Sequence, residues 1–254
     1  MRYFIQLAYN GKLYHGWQKQ PNAHSVQGEL ENKFTILLKE PIEIIGCGRT
    51  DTGVHAKDYF AHFESEAEID TAALAYKLNG ILPKDIVVHA VFPVAANLHA
   101  RFDAKLREYE YWIATKPTPF YNELSFLYTK ELDVLAMNEA AALLLSYTDF
   151  ECFSKVHTDV KTFNCNISYA KWEWKEKEQL VFTIRADRFL RNMVRAIVGT
   201  LLEIGKGKLN LTDFQKILES KNRSEAGASV PAHGLFLTKV EYAFPHFKKD
   251  DSGL

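Results

Sequence analysis

The sequence is poor in cysteine. Of 254 residues only Cys47, Cys152 and Cys165 are cysteines. The number is odd and no two stand at C-x-x-C spacing, which speaks against a disulfide framework and against a zinc finger. No uninterrupted apolar run approaches the ~18 residues of a membrane-spanning helix. The first residues, MRYFIQLAYNGK, alternate apolar and polar where a secretory leader would be continuously apolar. Neither sign of charge dominates: 31 Lys and Arg stand against 32 Asp and Glu, a net charge of −1. That balance leaves no room for a basic nucleic-acid tail or for wholesale disorder. H-E-x-x-H is missing and the nine histidines do not group as ligands. Gly46-Cys47-Gly48 is only part of a dinucleotide fingerprint, since Asp51 stands where the third glycine belongs. Gly199–Lys206 has the wrong spacing for a phosphate loop. The expectation is a soluble cytoplasmic protein with neither metal nor nucleotide cofactor.

What is present is ordinary globular material: 47% hydrophobic and 13% aromatic residues, enough for one large core or two smaller ones. Arg2–Tyr9 alternates as a strand and runs into an Asn10-Gly11 turn. Ser25 caps a helix carrying Val26, Leu30, Phe34 and Leu37/Leu38 on one face. Strands are predicted at Ile42–Cys47, Tyr59–Phe63, Ile86–Val91 and Glu108–Ile113. A second helix follows Asp70 and closes at Gly80 and Pro83. In the second half, Asp133–Ser146 and Phe189–Ile204 read as helices. Thr212 and Gln215 resemble a capping box opening a further one. Ile167–Trp174, Leu180–Ala186 and Leu235–Tyr242 read as strands.

Helices and strands alternate in both halves, yet several strands have hairpin-length links, which favours α+β with largely antiparallel sheets. The expected architecture is two similar subdomains of RRM/ferredoxin-like sheets, with helices on one face and a cleft between them. The boundaries are 1–103 and 104–247, joined near Arg101–Lys105, with a polar tail at 248–254.

The densest segment is GRTDTGVHA, 48–56. Two glycines bracket Arg49, Thr50 and Asp51 directly after an apolar strand, placing three polar side chains on a tight turn. A neighbouring cation favours the ionised carboxylate, and a positioned Asp51 can act as nucleophile or general base; a structural ion pair would use the same residues. Leu13–Pro21, LYHGWQKQP, suits a ligand surface better than a core. Arg101, Lys105 and Arg107 lead into Tyr109 and Tyr111, an order in which cations meet phosphates and bases stack on aromatics. Residues 185–208 hold six basic residues against two acidic ones. Within them Arg195 lies on an apolar stretch, where a buried cation needs an anion; Asp51 is the natural candidate.

These motifs, in order from first strand to last, resemble the tRNA pseudouridine synthase A family. They are Tyr9-Asn-Gly…Tyr14-His-Gly-Trp-Gln18…Pro21, SVQGELE (25–31), GRTDTGVHA (48–56), LHARFDAKLREYEYW (98–112), ADRFLRNMVRAIVGTLLEIGKGK (186–208) and AGASVPAHGLFL (226–237). The resemblance implies cofactor-free isomerisation of uridine to pseudouridine in tRNA, at the 3′ side of the anticodon stem-loop (positions 38 to 40 in tRNA numbering). It implies Asp51 as the catalytic aspartate, Arg49 as the residue displacing the flipped nucleotide, and Tyr109 as the ring stacking on the target base. Arg195 would pair with Asp51, and Leu235 and Leu237 would line the pocket. Lys19, Arg101, Lys105, Arg107, Arg188 and Arg191 are the expected RNA contacts. Members act as homodimers, so a second copy is an expected partner. Lys57-Asp58-Tyr59, Leu98 and Asp187 depart from the usual pattern without touching these roles.

Two rival readings are a non-catalytic RNA-binding module and a phosphoryl-transfer hydrolase using Asp51. The second calls for magnesium ligands, and no matching carboxylate cluster is present in the sequence. The expected charge layout is polarised, with one basic cleft and acidic outer faces.

Overall fold

A computed structural model of the chain describes residues 1–156 and 160–243. The expected polar tail at 248–254, and the last residues of the second half from 244, lie outside them. The strands are β1 (Arg2–Tyr9), β2 (Ile45–Gly46), β3 (His55–Glu64), β4 (Ile86–Val94), β5 (Ala104–Ala114), β6 (Phe126–Leu127), β7 (Ile167–Glu176), β8 (Gln179–Ala186) and β9 (Leu235–Tyr242). The helices are α1 (Val26–Leu38), α2 (Thr71–Ile81), α3 (Val134–Leu143), α4 (Met193–Gly205) and α5 (Leu211–Ser220). No helix among the described residues is long and apolar enough to cross a membrane.

The fold is α+β, and its strands form one sheet in the order β4-β1-β3-β9-β5-β8-β7, with β2 beside β3 and β6 beside β5. All pairs are antiparallel except β3–β9 and β5–β6. The sheets of the two halves therefore merge. The last strand returns to lie between β3 and β5, and its Leu237 faces Ala56 on one side and Tyr109 on the other. Two hydrophobic clusters flank this seam. One gathers Tyr3, Leu30, Phe34, Tyr59 and Phe63 under α1 and α2; the other gathers Tyr111, Met137, Trp172, Phe182 and Ile197 under α3 and α4. Tyr109 packs against both.

Local chemistry explains the element boundaries. Ser25, Asp70 and Asp133 each accept a backbone N–H of the first turn, from Gly28, Ala73 and Ala136 respectively. Pro93 is tolerated in β4 because that strand is an edge.

Three expectations need correction. Only Ile45–Gly46 of the stretch 42–47 is strand, because Ile44 turns its N–H to the Glu31 carboxylate and its carbonyl to the Gln27 amide. The capping box of α5 is made by Asn210 and Asp213, two residues before the predicted pair. Most consequential, α4 starts at Met193 and not at Phe189. Asn192 adopts a left-handed conformation (φ 67°) and donates to Ser229 Oγ at 2.7 Å. Arg191 thus stands outside the helix.

Candidate active site

Asp51 sits on the loop between β2 and β3, and the opening motif holds that loop from beneath. The Tyr59 hydroxyl donates to the Gly48 carbonyl at 2.5 Å, and Tyr9 and Thr50 share a hydroxyl hydrogen bond of 2.8 Å. The Trp17 N–H reaches the Thr50 carbonyl and the Gly53 N–H the Tyr14 carbonyl, both at 3.3 Å. Two glycines permit this closeness: a Cβ on Gly16 (φ 88°) would lie 2.3 Å from the Thr50 oxygen, and one on Gly11 would lie 2.0 Å from that of Val54. Tyr14 and Trp17 are buried, and Trp17 stacks on Tyr59 at 4.1 Å between centroids. Of the segment Leu13–Pro21, Tyr14 and Trp17 turn inward and form the floor under Asp51, while Leu13, His15, Lys19, Gln20 and Pro21 stay exposed.

His55 fastens the loop to two other motifs. Its Nδ1 accepts the Gly11 N–H at 3.0 Å, so Nε2 carries the proton and donates to the His233 carbonyl at 3.1 Å. The ring stacks on Phe236 at 4.7 Å. Burial lowers its pKa from the usual 6.5 to about 4, so the imidazole is neutral near pH 7.

The second half brings cations to the carboxylate. Arg195 Nη1 lies 3.5 Å from Asp51 Oδ2, and Arg191 Nε lies 3.7 Å from Oδ1. Asp51 keeps 25% of its side-chain surface exposed. Both distances exceed those of charge-assisted hydrogen bonds (~2.7–2.9 Å), so the two guanidiniums face the carboxylate without locking its oxygens. Arg195 is aimed by its Nε, which donates to the Val230 carbonyl at 2.8 Å; the Val230 N–H returns to the Arg195 carbonyl. This requires residues 226–231 to lie directly across α4. A Cβ on Gly199 would come within 1.8 Å of the Ala228 oxygen. Arg191 reaches Asp51 because the twist at Asn192 ends the helix before it.

Tyr109 faces the same seam, edge-on to Phe189 at 5.2 Å. Burial pushes its phenol above the ordinary range; Cys47 and Asp51 add to the rise while Arg107 opposes it. The hydroxyl therefore stays protonated at neutral pH. Leu235 and Leu237 are buried opposite Tyr111 and Tyr109.

The other expected contacts divide. Arg49, Arg101 and Lys105 are exposed. Arg188 is half-buried, with Nη1 donating to the Thr162 carbonyl at 3.4 Å. Lys19 is exposed but pairs with Glu31 at 2.8 Å. Arg107 is drawn inward, its guanidinium donating to the carbonyls of Cys47, Arg101, Ala104 and Asp187 at 2.7–3.0 Å. Sequence reasoning missed this clamp, as it missed His55 and the Arg191–Asp51 pair. His55 alone carried a signal, as the last polar residue of GRTDTGVHA. Among the described residues no group of three or more His, Cys, Asp or Glu is placed to hold a metal ion.

A carboxylate on a rigid loop, two guanidiniums facing it and a protonated tyrosine on β5, across β9 from β3, can attack or deprotonate a ring held between them. They can also neutralise the charge that develops. Comparison with known proteins agrees in kind. A family model described as tRNA pseudouridine synthase matches residues 140–243. A tRNA pseudouridine synthase A of Parabacteroides distasonis is 53% identical over 98% of this chain and 99% of its own length. Enzymes of the same name are 38% identical in Chlorobaculum tepidum, over 94% of this chain and 96% of theirs, and in Bacillus licheniformis, over 95% and 99%. Similarity at this level along nearly the whole length means that the chain belongs to the tRNA pseudouridine synthase A family.

Proposed function

We propose that this chain isomerises uridine to pseudouridine in tRNA, at positions 38 to 40 on the 3′ side of the anticodon stem-loop, with Asp51 as the reacting carboxylate. The observation that carries this reading is the convergence of Arg191 and Arg195 on Asp51, with Tyr109 on β5 at the same seam. The carboxylate would come from an N-terminal domain, 1–103, and its arginines from a C-terminal one, 104–247. In the reaction the N1–C1′ bond breaks, the uracil turns, and a C5–C1′ bond forms. The C5 proton is lost and N1 gains one, so atoms and electrons balance without a redox partner or a leaving group.

Each residue has a part in that sequence. The target base must leave its stack, at a cost of a few kcal/mol. Arg49, exposed and without a hydrogen bond or ion pair among the described residues, is free to fill the vacated place. Tyr109 stacks on the flipped uracil, with Leu235 and Leu237 closing the apolar side. Its protonated hydroxyl lies next to the ring edge from which the C5 proton departs. Asp51 adds to the sugar or the base, or takes a sugar proton. Arg195 and Arg191 hold the carboxylate's direction while leaving its oxygens available. Arg101, Lys105, Arg188 and Arg191 meet phosphates, and Lys19 joins them by exchanging Glu31 for RNA. Arg107 acts by holding loops together. The enzyme works in the cytoplasm as a homodimer.

The test is tritium release from tRNA transcripts labelled at uridine C5. Release from anticodon stem-loop uridines, and its absence when those uridines are replaced by cytidine, is expected. Tight tRNA binding with no tritium released would identify an RNA-binding module and overturn the assigned reaction. Sedimentation at the mass of a single chain would contradict the homodimer.

A further inference from the structure

Phe102 is 72% exposed, an uncommon position for a phenylalanine, and its surroundings are rigid. The turn that carries it is closed by the Asp103 carboxylate accepting the His99 N–H at 2.7 Å, and by the Asp103 N–H donating to the His99 carbonyl. His99 Nδ1 accepts the N–H groups of Arg101 and Phe102. The His99 ring backs the phenyl ring at 4.2 Å between centroids, and the Arg101 guanidinium lies 5.7 Å from its centre. The turn is also tied to the active-site seam. One nitrogen of Arg107 donates both to the Arg101 carbonyl at 2.7 Å and to the Cys47 carbonyl at 2.9 Å, four residues before Asp51. Arg107 thus joins the Phe102 turn to the strand end that leads into the Asp51 loop, and Tyr109 stands two residues further along β5.

The geometry points to Phe102 as a stacking platform for an unpaired RNA base next to the target nucleotide, with Arg101 beside it on the adjoining phosphate. A flipped base leaves its neighbour in the strand without a stacking partner on one side, and an exposed, pre-oriented ring flanked by a cation replaces it. Arg101 in the turn and Lys105 just after it are exposed cations, as is Arg49, two residues beyond Cys47, which suits a polyanion better than an apolar protein partner. This assignment rests on the tRNA reading above.

The test compares the wild type with Phe102→Ala, Phe102→Leu and Phe102→Trp. Equilibrium titration with an anticodon stem-loop RNA is paired with steady-state tritium release and a thermal melt. Binding is read without turnover, so RNA that binds through Phe102 but is not isomerised counts against the reaction and not against the platform. Loss of the ring is expected to raise Kd and KM about tenfold in both the alanine and the leucine variant. The tryptophan variant should bind at least as well as wild type, and kcat should change less than about twofold throughout. Unchanged affinity in Phe102→Ala, or full recovery with leucine, would overturn the proposal. So would a fall in melting temperature that tracks affinity across the three variants.

Discussion

The floor beneath Asp51 and the rim around it are built on opposite principles. On the floor the polar groups have fixed partners: Tyr9 with Thr50, Tyr59 with Gly48, His55 with Gly11 and His233, Arg107 with four carbonyls. On the rim, Arg49, Arg101, Lys105 and Arg191 are exposed, and Arg191 touches Asp51 only at 3.7 Å. A buried network in low dielectric fixes geometry to fractions of an ångström, because each broken bond strands a polar group. Exposed cations supply charge without fixed geometry, which suits a phosphate backbone of variable path. Residue type does not decide the side: Arg107 and Arg101 stand six positions apart and belong to different regions. On the proposed reading a net charge of −1 is no obstacle to an RNA partner, since the local charge of the rim, and not the total, would meet it.

Substitutions at four residues separate the regions, in order of decreasing effect. Arg195→Met removes both the Val230 anchor and one guanidinium at Asp51. The single-turnover rate should fall by about two orders of magnitude, with tRNA affinity changed little; a rate within threefold of wild type would detach Arg195 from the chemistry. Arg195→Lys should recover little, since an ammonium cannot serve both partners.

His55→Gln belongs to the floor and should lower stability by about 1–3 kcal/mol through an unpaired Gly11 N–H or His233 carbonyl. Its pH dependence has a definite sign. Folding depresses the His55 pKa from 6.5 to about 4, so between those values the unfolded chain binds the extra proton. The contribution is complete above pH 6.5 and is lost as the pH falls towards 4. Urea midpoints measured from pH 7 to 4 should therefore drop more steeply for wild type than for His55→Gln. His62, also lowered to about 4 by burial, contributes the same trend in both proteins. Parallel curves would place His55 outside the floor.

Arg107→Met and Lys105→Ala make the closest contrast. The first should cost about 1–3 kcal/mol of stability and leave the salt dependence of tRNA binding unchanged. The second should leave stability alone and reduce the slope of log K against log salt by about 1. The opposite pattern would exchange their regions.

Much of this was legible in the sequence because local rules carried it. The caps at Ser25, Asp70 and Asp133 and the alternation of Arg2–Tyr9 needed no tertiary information. Asp51 and Arg195 could be paired beforehand from the cost of burying an unpartnered charge. What escaped depends on long-range contacts. Arg107 reads as one more cation among cations until strands from both halves present it with carbonyls. The merged sheet could not be foreseen from two similar halves, because β9 enters between them from the end of the chain. The start of α4 escapes the sequence because Phe189 and Leu190 continue the apolar pattern, and the break shows only in the left-handed Asn192 and its bond to Ser229.

The central claim is that the floor holds Asp51 for chemistry while the rim holds the RNA. Its most direct test is Asp51→Asn, measured for tRNA affinity and single-turnover tritium release on the same preparation. Affinity should stay within about threefold of wild type while the rate falls by at least about three orders of magnitude. A variant that still released tritium at a tenth of the wild-type rate would contradict the role of Asp51, and one that no longer bound tRNA would contradict the division between floor and rim.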